Sequence, residues 1–141
     1  MGKINVGRWI LGGIVAGIAL NLIDYWVDGI LLAKMWNGQL ATWGRPPFSG
    51  HQIALFLGFG IIIGLVSIWV YAAIRPRFGP GVKTAIYAGI AVWILCDLVP
   101  NFAIMWVPHF FSGHLTAYTT LGGLFEVVIG TICGAAVYRE A

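Results

Sequence analysis

Apolar residues in this chain run on without alternation, and short polar or proline- and glycine-rich breaks separate the runs. Four stretches, residues 9–32, 52–74, 84–107 and 115–137, reach the length of about 20 mostly apolar residues that a helix needs to cross hydrocarbon. Strands of a membrane barrel would alternate apolar and polar positions, so the continuous runs predict helices. The expected fold is an all-α integral membrane protein, a four-transmembrane-helix bundle forming a single four-span membrane domain over residues 1–141. Ser49 and Gln52 read as a capping box opening the second span after the rigid Pro46-Pro47 pair. Pro76 is expected to stop that span after Arg75, because the residue before proline avoids helical backbone angles. Residues 75–83 (R-P-R-F-G-P-G-V-K) then read as a tight basic turn.

Composition leaves little room for another class. Of 141 residues, 60% are apolar and 9% charged, where a soluble domain carries roughly 25% charged residues. Two cysteines without a spacing motif exclude a disulfide framework. Cys96 and Cys133, at different depths on adjacent spans, are expected to be buried small hydrophobes and not a redox pair.

The bases orient the bundle. Lys3, Arg8, Arg75, Arg77, Lys83 and Arg139 fall at the N-terminus, second loop and C-terminus, and only Lys34 and Arg45 fall in the first loop. This bias places both termini in the cytoplasm. Trp9 and Trp69 then belong to the inner aromatic belt, and Trp26, Trp36, Trp43 and Trp106 to the outer one. No A-x-A cleavage site follows the first span, so it is expected to be retained. The excess of bases is a topology signal; nucleic-acid binding would need them clustered on a wetted face.

Each span also carries a ridge of small residues four apart: Gly13/Gly17, Gly60/Gly64, Ala85/Gly89 and Gly130/Gly134. Such pairs let helix backbones approach closely where lipid supplies no hydrophobic driving force. They predict a tightly packed inner half. A-G-I-A recurs at 16–19 and 88–91, each followed by an acid, Asp24 or Asp97, with a slip of one residue. This is a hint of two pseudo-repeated helix hairpins related by an axis along the membrane normal.

The acids carry the candidate chemistry. Asp24 and Asp28 lie one turn apart on the first span, Asp97 near the middle of the third, and Glu126 near the middle of the fourth. An aspartate at a helix centre costs about 2.5–3.5 kcal/mol on insertion scales, so each must be protonated, share a proton, hold a cation or face water. Asn21 precedes Asp24 by three residues, and Asn101 follows Asp97 by four across Pro100, which should kink the helix and free the Cys96 carbonyl. Asn21, Asp24, Asp28, Asp97, Asn101 and Glu126 are therefore the expected ligand- or ion-binding set. His51, His109 and His114 all map to the outer side and are the candidate metal ligands, although their ordinary use is head-group contact and they form no dense motif. A metal ion is the cofactor they suit; axial haem ligation is the weaker use. Hydrogen-bonded structural glue is the plain alternative for Glu126 and Asp28.

The segment W-V-Y-A-A-I-R-P-R-F-G-P-G-V-K-T-A (69–85), with G-G-I-V-A-G at 12–17, resembles a family of small four-span bacterial membrane proteins without an assigned activity. The I-R-P-R-F-G-P-G turn is its most specific part. The resemblance implies four helices in a bacterial membrane, and no ligand or reaction.

Three functions remain. The first is a membrane protein that binds or transports a cation or small protonatable solute through an outward-facing polar cavity lined by the carboxylates. With only four helices it would assemble, for instance as a homodimer. The second is a non-catalytic accessory subunit of a larger hetero-oligomeric respiratory or photosynthetic complex, which the seven tryptophans would suit. The third is an intramembrane enzyme using Asp24 and Asp97 as an acid–base pair. No substrate signal accompanies that pair, so a non-enzyme is the expectation.

Overall fold

A computed structural model describes residues 4–140; Lys3, counted above among the orienting bases, lies outside the described residues. Five α-helices follow in order: α1 (Val6–Trp26), α2 (Ala33–Thr42), α3 (Gly50–Phe78), α4 (Val82–Trp93) and α5 (Gly113–Val137). Three π-helical segments extend or interrupt them, Val27–Leu31 after α1 and Ile94–Leu98 and Asn101–Trp106 after α4. Four continuous helical rods result, Val6–Leu31, Gly50–Phe78, Val82–Trp106 and Gly113–Val137, each long and apolar enough to cross a membrane. The protein is thus a four-helix, multi-pass membrane bundle. Large apolar side chains such as Leu22, Ile62, Leu95 and Val99 stand exposed around it, as lipid permits and water would not.

Local chemistry starts the helices where the chain needs them. Asn5 caps α1 by accepting from the Arg8 N–H, and Ser112 caps α5 by accepting from the Leu115 N–H. Ser49 and Gln52 form the expected capping box at the head of α3. The end of α3 departs from expectation. Pro76 does not stop the helix, which runs on to Phe78 and leaves Arg75 and Arg77 in its last turn. Gly79 closes that turn at φ 83°, its N–H donating to the Arg75 carbonyl at 2.8 Å, so the proline costs one backbone donor without ending the helix. The true turn is confined to residues 79–81.

Helix α1 packs against α3 and α5, and α4 packs against the same two. The start of α1, the end of α3, the start of α4 and the end of α5 gather at one end of the bundle, here the terminal end; α2 and the loops either side of α2 and before α5 share the distal end. In the terminal half the small residues do what their spacing predicts. A Cβ placed on Gly17 would stand 2.7 Å from Ile61 Cα, one on Gly89 2.9 Å from Val128 Cα, and one on Gly130 2.8 Å from the Ala16 carbonyl oxygen. Gly64 is tighter still, against the backbone of Gly13 and Gly17. Ala16, Ile68, Tyr71, Ala72, Ala85 and Ala88 fill the space between these contacts as one buried cluster. Above it, Leu20, Val92 and Val127 form a second, smaller apolar layer.

Two expectations fail here. Cys96 and Cys133 are exposed and unpaired, not buried; a thiol is apolar enough for either surrounding, so depth in the sequence does not tell which side it takes. Helix α2 is an addition, where a loop was expected. Its Gln39 side chain ties it to the other loop, accepting from the Ser112 N–H at 3.0 Å and donating to the Phe110 carbonyl at 3.4 Å. Trp36 of α2 and Trp43, just past its end, pack edge-on against Phe111.

Candidate functional site: a carboxylate-floored cavity in the distal half

Directly beyond the Leu20–Val92–Val127 layer the packing stops. A cavity of about 460 Å³ opens between α1, α2, the head of α3, the third rod and α5. Its acids are Asp24, Asp28, Asp97 and Glu126. Carboxylate oxygens of Asp24, Asp28 and Glu126 all come within 4.8 Å of one another. Helical rise explains part of this. Asp24 is one α-turn past Leu20, and Asp97 is five residues past Val92, with the π segment Ile94–Leu98 taking up the extra residue. The one-residue slip in the A-G-I-A repeat thus coincides with a π turn. Every one of the three π segments contributes to the cavity: Asp28 from the first, Asp97 from the second and Asn101 from the third. Wider helical turns are frequent where a helix must aim a functional side chain.

The acids are not equivalent. Asp28 is anchored near the rim, its Oδ1 accepting from Trp36 Nε1–H and from the Thr119 hydroxyl, both at 2.6 Å. Glu126 lies at the floor, only 6% exposed, and its Oε1 is buried with no hydrogen-bond partner. Asp97 Oδ2 is likewise buried and unpartnered. Buried polar atoms are nearly always paired, since leaving one unmade costs about 1–3 kcal/mol and more for a charged group. No base relieves them: among the described residues the only ion pair is Arg75–Glu140, 3.3 Å, at the terminal end. Room for Asp97 comes from α5, where a Cβ on Gly123 would fall 2.9 Å from Asp97 Cγ. Gly122, beside it, faces Val27 and Glu126.

Five of the six residues expected to bind a ligand line this one cavity: Asp24, Asp28, Asp97, Asn101 and Glu126. Asn101 also donates to the Thr120 hydroxyl at 3.1 Å. Asn21 does not line it. Its side chain turns to α3, donates to the Leu57 carbonyl at 3.0 Å and rests against Gly60, which makes it a helix-to-helix tie. His51, His109 and His114 are exposed and outside the cavity lining, and His114 lies beside Tyr118 with ring centroids 6.4 Å apart. Trp36, expected in the outer aromatic belt, instead turns into the cavity. Residues not anticipated as site members are the apolar and aromatic walls: Tyr25, Trp36, Phe48, Ile53, Phe56 and Leu57. Trp36, Phe48 and Phe56 form a continuous aromatic run, with centroid separations of 5.9 and 5.4 Å. No family model, curated protein or solved structure matches the chain.

Proposed function

We propose that this membrane protein binds a cation or a small protonatable solute in its distal cavity, which faces the periplasm of a bacterial inner membrane. The bias of bases toward the terminal end supports that orientation. One observation carries the proposal: Glu126 and Asp97, each with one buried, unpartnered carboxylate oxygen, line the same cavity as Asp24 and Asp28, and no Lys or Arg among the described residues pairs with any of the four. Structural glue would satisfy its own hydrogen bonds; here the carboxylates of Asp24, Asp28 and Glu126 converge on one cavity instead. A positive group in the cavity would supply the missing partner and offset the repulsion among the acids. The glycine-packed terminal half closes the route below the site, so any transport would require those helices to part.

Thermal unfolding in detergent, titrated with alkali cations, divalent cations and protonated amines, tests this reading. A ligand held only by the folded state at 100 times its Kd adds about 2.7 kcal/mol. At least one class should raise Tm in the wild type and lose that effect in Asp24→Asn, Asp97→Asn and Glu126→Gln. The reading fails if no class shifts Tm, or if all three variants respond as the wild type does.

A further inference from the structure

The cavity's walls say more about the ligand than its charge does. All four carboxylates come from α1, the third rod and α5 with their π extensions, whereas α3 and the segment before it contribute only apolar side chains: Pro47, Phe48, Ile53, Phe56 and Leu57. The space is thus amphiphilic, acidic on one set of helices and apolar on another. Its volume of about 460 Å³ lies within the roughly 300–1,000 Å³ of small-molecule pockets. A bare metal ion is a poor occupant. Calcium takes about 6–8 oxygens at about 2.3–2.6 Å, but only three carboxylates converge here, and Asp28 Oδ1 already accepts two hydrogen bonds. The remaining ligands would have to be waters held against phenylalanine and isoleucine, which offer them no partners.

Resting on the cation-binding reading, the geometry points to an organic ammonium ion bearing N–H groups and an apolar body as the ligand of this cavity. Its N–H groups donate to the converging carboxylates of Asp24 and Glu126, with Asp97, on the same lining, completing the charge. Its carbon skeleton lies along Phe48, Phe56, Ile53 and Leu57, and the aromatic faces add cation–π attraction. A quaternary ammonium ion matches the walls and the charge but offers the converging carboxylates no N–H donor. The ammonium group can belong to a free amine or to an aminolipid head group entering from the bilayer; the chemistry recognised is the same.

Isothermal titration of the purified full chain with phenethylammonium, tetraethylammonium and calcium separates these ligands. Phenethylammonium should bind at least about tenfold more tightly than either of the others. Glu126→Gln should weaken it by about thirtyfold or more, through loss of a buried charge partner. Phe56→Ala, at a side chain half exposed and therefore harmless to the fold, should weaken it about fivefold and leave any calcium signal unchanged. Repeating the titration in nanodiscs with and without phosphatidylethanolamine assigns the source: competition by the lipid indicates the head group, and an unchanged isotherm indicates a free amine. Binding of calcium alone, or of tetraethylammonium as tightly as phenethylammonium, overturns the ammonium inference and leaves the cation site standing. Binding of none of these overturns the ammonium inference, and the cation site falls with it if the broader Tm screen is also silent.

Discussion

The terminal and distal halves of this bundle are built from the same four rods, yet they resolve the membrane's packing problem in opposite ways. In the terminal half, glycines bring backbones into contact: Gly13 and Gly17 against Gly64 and Ile61, Gly12 and Ala16 against Gly134 and Gly130. The pocket in this half, beside Tyr71, Ala85 and Ala135, measures about 120 Å³, against about 460 Å³ in the distal half. In the distal half, glycines make room for polar groups. Gly123 clears space for Asp97, and π turns spread the helix ends around a cavity. The residue type is shared; what differs is whether the facing helix presents a backbone or a carboxylate. A lining of four acids is tolerable only because the packed half beneath it holds the rods in place without their help.

Substitutions separate the two halves, in order of expected effect. Gly64→Val should be the most damaging, because its side chain meets the backbone of Gly13 and Gly17, which cannot move aside as a flexible side chain would. A loss of about 3 kcal/mol, or failure to assemble, is expected in thermal or denaturant unfolding. Its control is Gly58→Ala on the same helix, where nothing lies within 4 Å; helix propensity predicts a gain of about 0.8–1 kcal/mol.

Glu126→Gln reverses the pattern. It keeps the shape of the floor and removes a buried carboxyl that has an unpartnered oxygen, so Tm in the absence of ligand should hold or rise while ligand affinity falls by about 2 kcal/mol or more. A variant that unfolds and still binds would contradict the division of labour between the halves. Gly123→Ala sits between the two cases: its Cβ displaces Asp97 and should weaken binding about tenfold, about 1.4 kcal/mol. Its stability should fall by about 1 kcal/mol. Trp36→Phe is the mildest, since it keeps an aromatic wall and removes only one of two donors to Asp28. Affinity should change less than about fivefold, at a stability cost of about 1 kcal/mol.

The two halves were also unequally legible in the sequence. Small-x3-small pairs identify close approach because few other residues permit it: the four pairs named above lie buried, although Ala54/Gly58 has the same spacing and is exposed. Carboxylates in apolar runs identify a polar interior by their cost alone, which is why Asp24, Asp28, Asp97 and Glu126 could be grouped before any coordinates. Asn21 misled because helical spacing puts it within a turn of Asp24 without saying that its amide reaches the Leu57 carbonyl instead. The aromatic wall escaped notice for a different reason. A tryptophan or phenylalanine near a span's end has the same sequence signature whether it faces lipid or a cavity, and only α2, folded back by Gln39 and the Phe111 contacts, brings Trp36 inward. The π segments left no signature either, apart from the single-residue slip between the two A-G-I-A repeats.

The central claim is a wetted distal cavity above a sealed terminal half, and cysteine accessibility measures it directly. In a background carrying Cys96→Ala and Cys133→Ala, Thr119→Cys at the cavity wall and Ser67→Cys in the packed half are each exposed to a water-soluble, membrane-impermeant thiol reagent from either face of oriented vesicles. The account predicts rapid modification of Thr119→Cys from one face only and none of Ser67→Cys from either. An unreactive Thr119→Cys, or a Ser67→Cys that reacts as fast, would contradict it.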